Sequence, residues 1–238
     1  MAETGVVTAV YGNESCLEEL QARLAQVLDS VGGDWEVVYV VDHSPDQSLA
    51  LLQRMAAVDT RIRVLELPNN QGQHRALVAG LRASRAERLV LMDADLQDPP
   101  EAIPSLLAAL EGGIQVVFAG RSGRFQSRGR HRSSRLFRIL MEWIAGLPRN
   151  AGVFSALRRE AALRLVDGPF RNPDLPGLIV QLRLTWTVVP VERLPRPRGR
   201  SAFLGTMRLR LALRALFQAL SGRMGRLPTG ADSMDGQR

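Results

Sequence analysis

Four times between residues 5 and 95 the chain repeats one arrangement, a short apolar run rich in β-branched residues that ends abruptly in polar ones. The runs are "GVVTAVYG", "WEVVYVVDHS", "IRVLELPNN" and "RLVLMDAD". Between them lie segments with helical spacing. "SCLEELQARLAQVLDSV" places Leu17, Leu20, Leu24 and Leu28 on one face, and "DQSLALLQRMAAV" and "HRALVAGLRAS" follow the same habit. Strands alternating with helices of about 10–15 residues predict an α/β fold, a Rossmann-like and mostly parallel sheet flanked by helices. Such sheets bind ligands beyond the carboxyl ends of their strands. The polar residues fall there: Tyr11 to Glu14, Asp42 to Asp46, Asn69 to Gly72, and Asp93 to Asp95.

Beyond Pro104 the spacing predicts a helix over "SLLAALEGG" and strands over "IQVVFAG" and "LTWTVVPVERLP". "RSGRFQSRGRHRSSRLFR" is too polar for a core, and "RPRGRSAF" reads as a basic loop. Residues 1–203 form the α/β domain in this reading, 204–224 an amphipathic helix, and 225–238 a polar, disordered tail. On the helix, Leu209, Leu213, Leu216, Phe217 and Leu220 share a face whose centre Arg208, Arg210 and Arg214 avoid, while Leu204 and Leu211 fall on the far side. That face suits a peripheral membrane contact or a partner subunit.

"LVLMDADLQDPPE", residues 89–101, carries three aspartates, Asp93, Asp95 and Asp98, at the mouth of a buried strand in a chain of net charge +7. Asp93 and Asp95 are two apart, so on an extended chain they point to one side. Carboxylates aimed together repel unless a cation lies between them. Mg²⁺ and Mn²⁺ take oxygen ligands, and Mg²⁺ completes its sphere with water and substrate phosphates. The alternative is an acidic turn, with Asp98 capping the helix that begins at Pro99.

Composition narrows the classes. All the basic residues are arginines, whose planar fork suits diphosphates and anionic surfaces. Aromatics are scarce and no nucleic-acid-binding pattern occurs, so nucleic acid is not expected as a partner. No Gly-x-Gly-x-x-Gly follows the first strand, which disfavours a dehydrogenase. A single cysteine, Cys16, allows no internal disulfide. With no signal-peptide pattern and no apolar stretch of about 20 residues, the expectation is a cytoplasmic protein, at most bound to the inner face of a membrane. His43 and His74 fit no zinc spacing and read as rim hydrogen-bonders. Trp35, Trp143 and Trp186 read as core or interface residues.

The motifs together resemble glycosyltransferase family two, with the GT-A fold, and within it the dolichyl- or polyprenyl-phosphate mannosyl- and glucosyltransferase branch. The resemblance is carried by Val10-Tyr11-Gly12-Asn13-Glu14, by Val40-Val41-Asp42-His43-Ser44-Pro45-Asp46, and by Asn70-Gln71-Gly72-Gln73-His74. It is carried most strongly by residues 93–101, then by Arg193, Arg196, Gly199 and Ser201. It implies a nucleotide diphosphate sugar donor of GDP-mannose or UDP-glucose type and a bound Mg²⁺ or Mn²⁺. Tyr11, Glu14, Asp42, Ser44, Asn70, Gly72 and Asp93 would line the nucleotide site, and Asp93, Asp95 and Gln97 would hold the metal. Arg121, Ser134, Arg135, Arg196 and Ser201 would meet the diphosphate or an acceptor phosphate. Asp95, Arg121 and Arg196 would carry catalysis.

Departures from the branch leave the acceptor open. Relatives carry Asp-x-Gly-Asp-Phe-Arg where this chain has Asn150-Ala151-Gly152-Val153-Phe154-Ser155, and their following membrane helices have no counterpart. A phosphate acceptor needs cations rather than a base, and the arginines from Arg121 to Arg135 supply them, so polyprenyl phosphate is the expected acceptor. The alternatives are a hydroxyl acceptor on a small metabolite or glycan, with Asp98 or Asp174 as base, and an inactive family member serving as a partner subunit.

Overall fold

The computed structural model describes residues 2–122, 152–168 and 174–194, with the backbone alone at 121 and 122. The segments 123–151, 169–173 and 195–238 lie outside the described residues, and with them Ser134, Arg135, Trp143, Arg196, Ser201 and the 204–224 helix.

A seven-stranded sheet runs in the order β3-β2-β1-β4-β6-β5-β7. Its strands are β1 (Thr4–Val10), β2 (Trp35–Val41), β3 (Ile62–Glu66), β4 (Arg88–Asp93), β5 (Val116–Ser122), β6 (Ser155–Arg158) and β7 (Trp186–Glu192). The helices are α1 (Glu14–Val31), α2 (Ser48–Val58), α3 (Gln73–Ala83), α4 (Ile103–Ala108), α5 (Arg159–Val166) and α6 (Leu175–Gln181). A 3₁₀ turn, Pro100–Ala102, precedes α4. All the ladders are parallel except those of β6, which runs antiparallel between β4 and β5.

The strand alternation sorts the core into two layers, since successive side chains leave opposite faces. Val6, Val37, Tyr39, Val90 and Val117 pack beneath α1, α2 and α4. Val7, Val38, Val40, Leu89, Leu91 and Phe118 pack beneath α3, α5 and α6. All seven positions of β2 are buried, as a strand covered on both faces requires. Tyr39 keeps its hydroxyl satisfied in this core by donating to Gln21 Oε1 at 2.8 Å. Trp35 and Trp186 are packing residues as expected. Trp35 lies under the Arg61 guanidinium, 3.9 Å from the ring centre, and Trp186 meets Phe118 edge-on.

Two local expectations change. "SALR" gives too little apolar pattern to announce a strand, yet it forms β6, and its ladders with β4 and β5 bring Ser155 level with Leu91 and Phe118. β4 ends at Asp93, and the chain turns at once, with Leu96 in the left-handed region at φ 60°. Asp93 and Asp95 are therefore not strand neighbours sharing one face.

α3 approaches the sheet closely at Gly80. A methyl there would stand 2.9 Å from Val40 Cγ2 and closer still to Val7 Cγ1. Gly80→Ala is predicted to destabilise the fold by about 1–3 kcal/mol through overpacking, despite alanine's better helix propensity. Urea unfolding checks this through a lowered midpoint at unchanged slope.

Candidate active site

The parallel strands deliver their polar termini to one rim, and hydrogen bonds tie those termini to each other. Ser44 Oγ accepts from the Gly12 backbone N–H at 2.8 Å and donates to Asp46 Oδ1 at 2.6 Å. Asp46 Oδ2 accepts from the Glu14 N–H, and Glu14 Oε2 accepts in return from the Gln47 N–H, both at 3.0 Å. The loops after β1 and β2 are thus joined by three hydrogen bonds. Burial alone would raise the Asp46 carboxyl, but the bonds from Ser44, Ser48 and Glu14 outweigh it and hold the group below the usual carboxylate range.

Asp42 is 3% exposed and fully engaged. Its two oxygens accept from the N–H groups of Gln71 and Gly72 at 2.7 and 2.8 Å, which fixes the entry to α3. Gly72 sits at φ 87°, a left-handed conformation that glycine adopts without cost. Asp42 thereby joins the end of β2 to the turn before α3. Tyr11, 46% exposed, and exposed Asn70 stand on the same rim with their side chains turned to solvent.

Asp93 stands at the end of β4, level with Ala9 of β1. The Gln73 side-chain amide donates to its Oδ1, and Arg193 Nη2 lies 3.3 Å from its Oδ2. Arg193 Nε lies 3.2 Å from Asp98 Oδ1, so Asp98 is an ion-pair partner of this arginine. Asp95 is buried, and its Oδ1 accepts from the Gln97 N–H at 3.1 Å, closing the turn. The Gln97 carbonyl accepts from the Leu194 N–H at 2.8 Å, which binds this turn to the end of β7. Beyond it, Glu101 takes a bidentate contact from Arg23, at 2.8 and 2.6 Å.

Asp93 and Asp95 present only oxygen to a cation, which suits Mg²⁺ or Mn²⁺. Two carboxylates are what such an ion takes from a protein when a diphosphate supplies further oxygens. No set of three acidic, histidine or cysteine side chains gathers as a metal cage among the described residues. The Gln97 backbone organises the turn through two hydrogen bonds. Arg121 pairs with Val191 in the β5–β7 ladder, and this brings its backbone to the same rim.

Two features went unread in the sequence. Gln73 and Arg193 both contact Asp93, although only their place in motifs had marked them. His74, the residue after Gln73, reaches α6: its Nδ1 accepts from the Leu175 N–H at 3.3 Å, and its Nε2 faces Asp174 Oδ1 at 3.7 Å. Asp174 Oδ2 caps α6 by accepting from the Gly177 N–H at 3.1 Å. The first two residues of α3 thus link the acids of β4 to the carboxylate of α6. Val153 and Ser155, which stand where relatives carry an acid and an arginine, are buried, and Ser155 Oγ donates to the Val153 carbonyl at 2.8 Å.

Residues 6–165 match the family described as Glycosyl transferase family 2. The chain belongs to that family. The glycosyltransferase is related to polyprenyl-phosphate sugar transferases. It is 32% identical over 207 residues to the undecaprenyl-phosphate 4-deoxy-4-formamido-L-arabinose transferase of Edwardsiella ictaluri, covering 86% of this chain and 63% of that one. It is 27% identical over 211 residues to the uncharacterized glycosyltransferase YkcC of Bacillus subtilis, covering 87% and 65%. The chain thus spans less than two thirds of these relatives' length. Among solved structures, glucosyl-3-phosphoglycerate synthase of Mycobacterium tuberculosis, in complex with phosphoglyceric acid, matches with a TM-score of 0.65 at 22% identity, covering 96% of this chain and 82% of that one. A mannosyltransferase of Pyrobaculum calidifontis, in complex with GDP-Man and Mn²⁺, matches with a TM-score of 0.65 at 17% identity, covering 95% and 65%. These likenesses establish the GT-A fold for this glycosyltransferase.

Burial pushes the His74 imidazole below its ordinary pKa, and the nearby Asp174 charge opposes this only in part. The folded protein then binds fewer protons than the unfolded chain between that lowered value and about 6.5. Stability rises with pH through that window and is fully present above it. Unfolding free energy is predicted to fall as pH drops from about 7 to about 5, and less so in His74→Gln. Parallel urea titrations of the two proteins check this by their difference in slope against pH.

Proposed function

We propose that this glycosyltransferase moves a hexosyl group, with inversion, from a nucleotide diphosphate sugar to a hydroxyl group of a small metabolite or glycan. Residues 1–203 would form the catalytic domain. Asp93, Asp95 and Gln97 would hold Mg²⁺ or Mn²⁺, and the Gln97 backbone braces their turn. When bound, the ion would act as a Lewis acid on the departing diphosphate. The exposed ring of Tyr11 offers the base a stacking surface, while Asn70, Ser44 and Glu14 edge the same opening.

One observation carries the acceptor reading. The Asp174 side chain is 26% exposed, is held by the α6 cap, and is joined through His74 and Gln73 to the acids at β4. A hydroxyl attacking an anomeric carbon that develops positive charge needs such a carboxylate to take its proton. Asp98, the other acid considered for that role, is nearly buried against Arg193. The replaced segment at Val153 and Ser155 packs into the core and leaves the acids of β4 in place, so it gives no ground for reading the chain as inactive.

A second reading keeps polyprenyl phosphate as the acceptor. It is favoured by what the undecaprenyl-phosphate relatives are named for, and by the arginines from Arg121 to Arg135 with Arg196. An acceptor phosphate is already anionic and requires no base. In that reading Arg121, Ser134, Arg135, Arg196 and Ser201 would cradle the phosphate. The 204–224 helix would then rest at the inner face of a membrane or on a partner subunit. No described helix is long and apolar enough to cross a membrane.

Asp95→Ala is predicted to lower transfer by roughly 100-fold or more, as is excess EDTA, because the leaving diphosphate loses several kcal/mol of neutralisation. Asp174→Asn separates the acceptor readings. With a hydroxyl acceptor it is predicted to reduce turnover about 10²- to 10⁴-fold at unchanged nucleotide affinity. Full Asp174→Asn activity on polyprenyl phosphate, with no transfer to hydroxyl acceptors, would establish the second reading instead.

A further inference from the structure

Arg193 occupies a position that lining a pocket does not explain. Its guanidinium bridges carboxylates from both sides of the Asp-Ala-Asp turn, with Nη2 3.3 Å from Asp93 Oδ2 and Nε 3.2 Å from Asp98 Oδ1. The Arg193 side chain is itself one-quarter exposed, and that of Asp98 only 3%. The backbone delivering it is fixed on both sides. Glu192 is paired with Ser122 in the β5–β7 ladder, and the Leu194 N–H donates to the Gln97 carbonyl.

We propose that Arg193 is a built-in counter-ion of the metal site. It holds Asp93 while no divalent ion is present, yields Asp93 when the ion arrives, and stays on Asp98 throughout. The inference rests on the reading of Asp93 and Asp95 as metal ligands. Acids clustered in one turn repel, and without a cation the guanidinium offsets that repulsion. A divalent ion and a guanidinium repel each other, so they compete for Asp93. Asp98 keeps Arg193, because breaking an ion pair to a nearly buried carboxylate is strongly unfavourable. The Nη groups leaving Asp93 are then available to a phosphate oxygen of the donor, a partner suited to the guanidinium fork.

Metal and nucleotide are thereby coupled. An ion arriving alone displaces Arg193 with no phosphate to receive it, whereas an ion arriving with a nucleoside diphosphate does not face that cost. Such coupling is reciprocal, so the nucleotide raises metal affinity and the metal raises nucleotide affinity.

The test is Mn²⁺ binding to the full chain, followed by the electron paramagnetic resonance signal of free Mn²⁺, with and without UDP or GDP. For wild type, weak binding of Mn²⁺ alone and tighter binding with nucleotide are expected. Arg193→Ala and Arg193→Gln are expected to bind Mn²⁺ alone about fivefold more tightly than wild type, with a smaller gain on adding nucleotide. The two variants guard against a fold lost in one of them, which circular dichroism detects. If wild type binds Mn²⁺ and the folded variants bind it equally or more weakly, Arg193 is not a competitor and the inference fails alone. If no protein binds Mn²⁺ even with nucleotide, the metal reading fails and takes the inference with it.

Discussion

Negative charge gathered at the end of β4 has to be compensated, and much of the rim is arranged by that requirement. Asp93, Asp95 and Asp98 lie within six residues of one another, and each has a different answer to the repulsion. Asp93 takes the Gln73 amide and Arg193, Asp95 takes the Gln97 N–H, and Asp98 shares the same arginine. These contacts come from α3, from the turn itself and from the end of β7. The acids therefore also register the two halves of the sheet against each other. In the proposed reading, Arg193 serves as the counter-ion while the site is at rest, and a divalent ion would take its place on Asp93 during transfer.

The other acids of the rim work differently. Asp42 and Asp46 spend their oxygens on backbone N–H groups, which would otherwise lack partners at the ends of strands and the starts of helices. They stiffen the loops at this rim, where Tyr11 and Asn70 keep exposed side chains. Charge-assisted bonds of this kind are stronger than neutral ones, which suits loops that have to hold a shape. A net basic protein thus uses its acids for architecture as well as chemistry.

Strands with continuous burial and helices with regular leucine spacing were legible in the sequence, because each rests on a period that local residues repeat. The first four strands and three helices emerged as the pattern indicated. β6 was not legible: four residues carry no period, and its pairing with β4 and β5 depends on partners far away in the chain. The acids at residues 93–98 were legible as a group, but their geometry was not. Strand alternation does not extend to Asp95, since β4 ends at Asp93 and the left-handed Leu96 and the Gln97 N–H shape the turn that follows. Asp42 was legible as a polar strand terminus, while its role as a loop tether depends on backbone groups that no side-chain pattern announces. The His74–Asp174 link joins residues 100 apart in sequence, and neither residue signals the other.

In the proposed site the acids after β4 would hold a divalent ion against the diphosphate of the donor. Relaxation of the ³¹P nuclei of protein-bound UDP or GDP by Mn²⁺ measures this contact directly, since paramagnetic relaxation falls off steeply with distance from the ion. Strong relaxation of both phosphorus nuclei is expected in the wild-type complex, and its loss in Asp95→Ala at nucleotide concentrations that keep the site filled. Equal relaxation in both proteins, or a bound nucleotide that Mn²⁺ leaves unrelaxed, would contradict it.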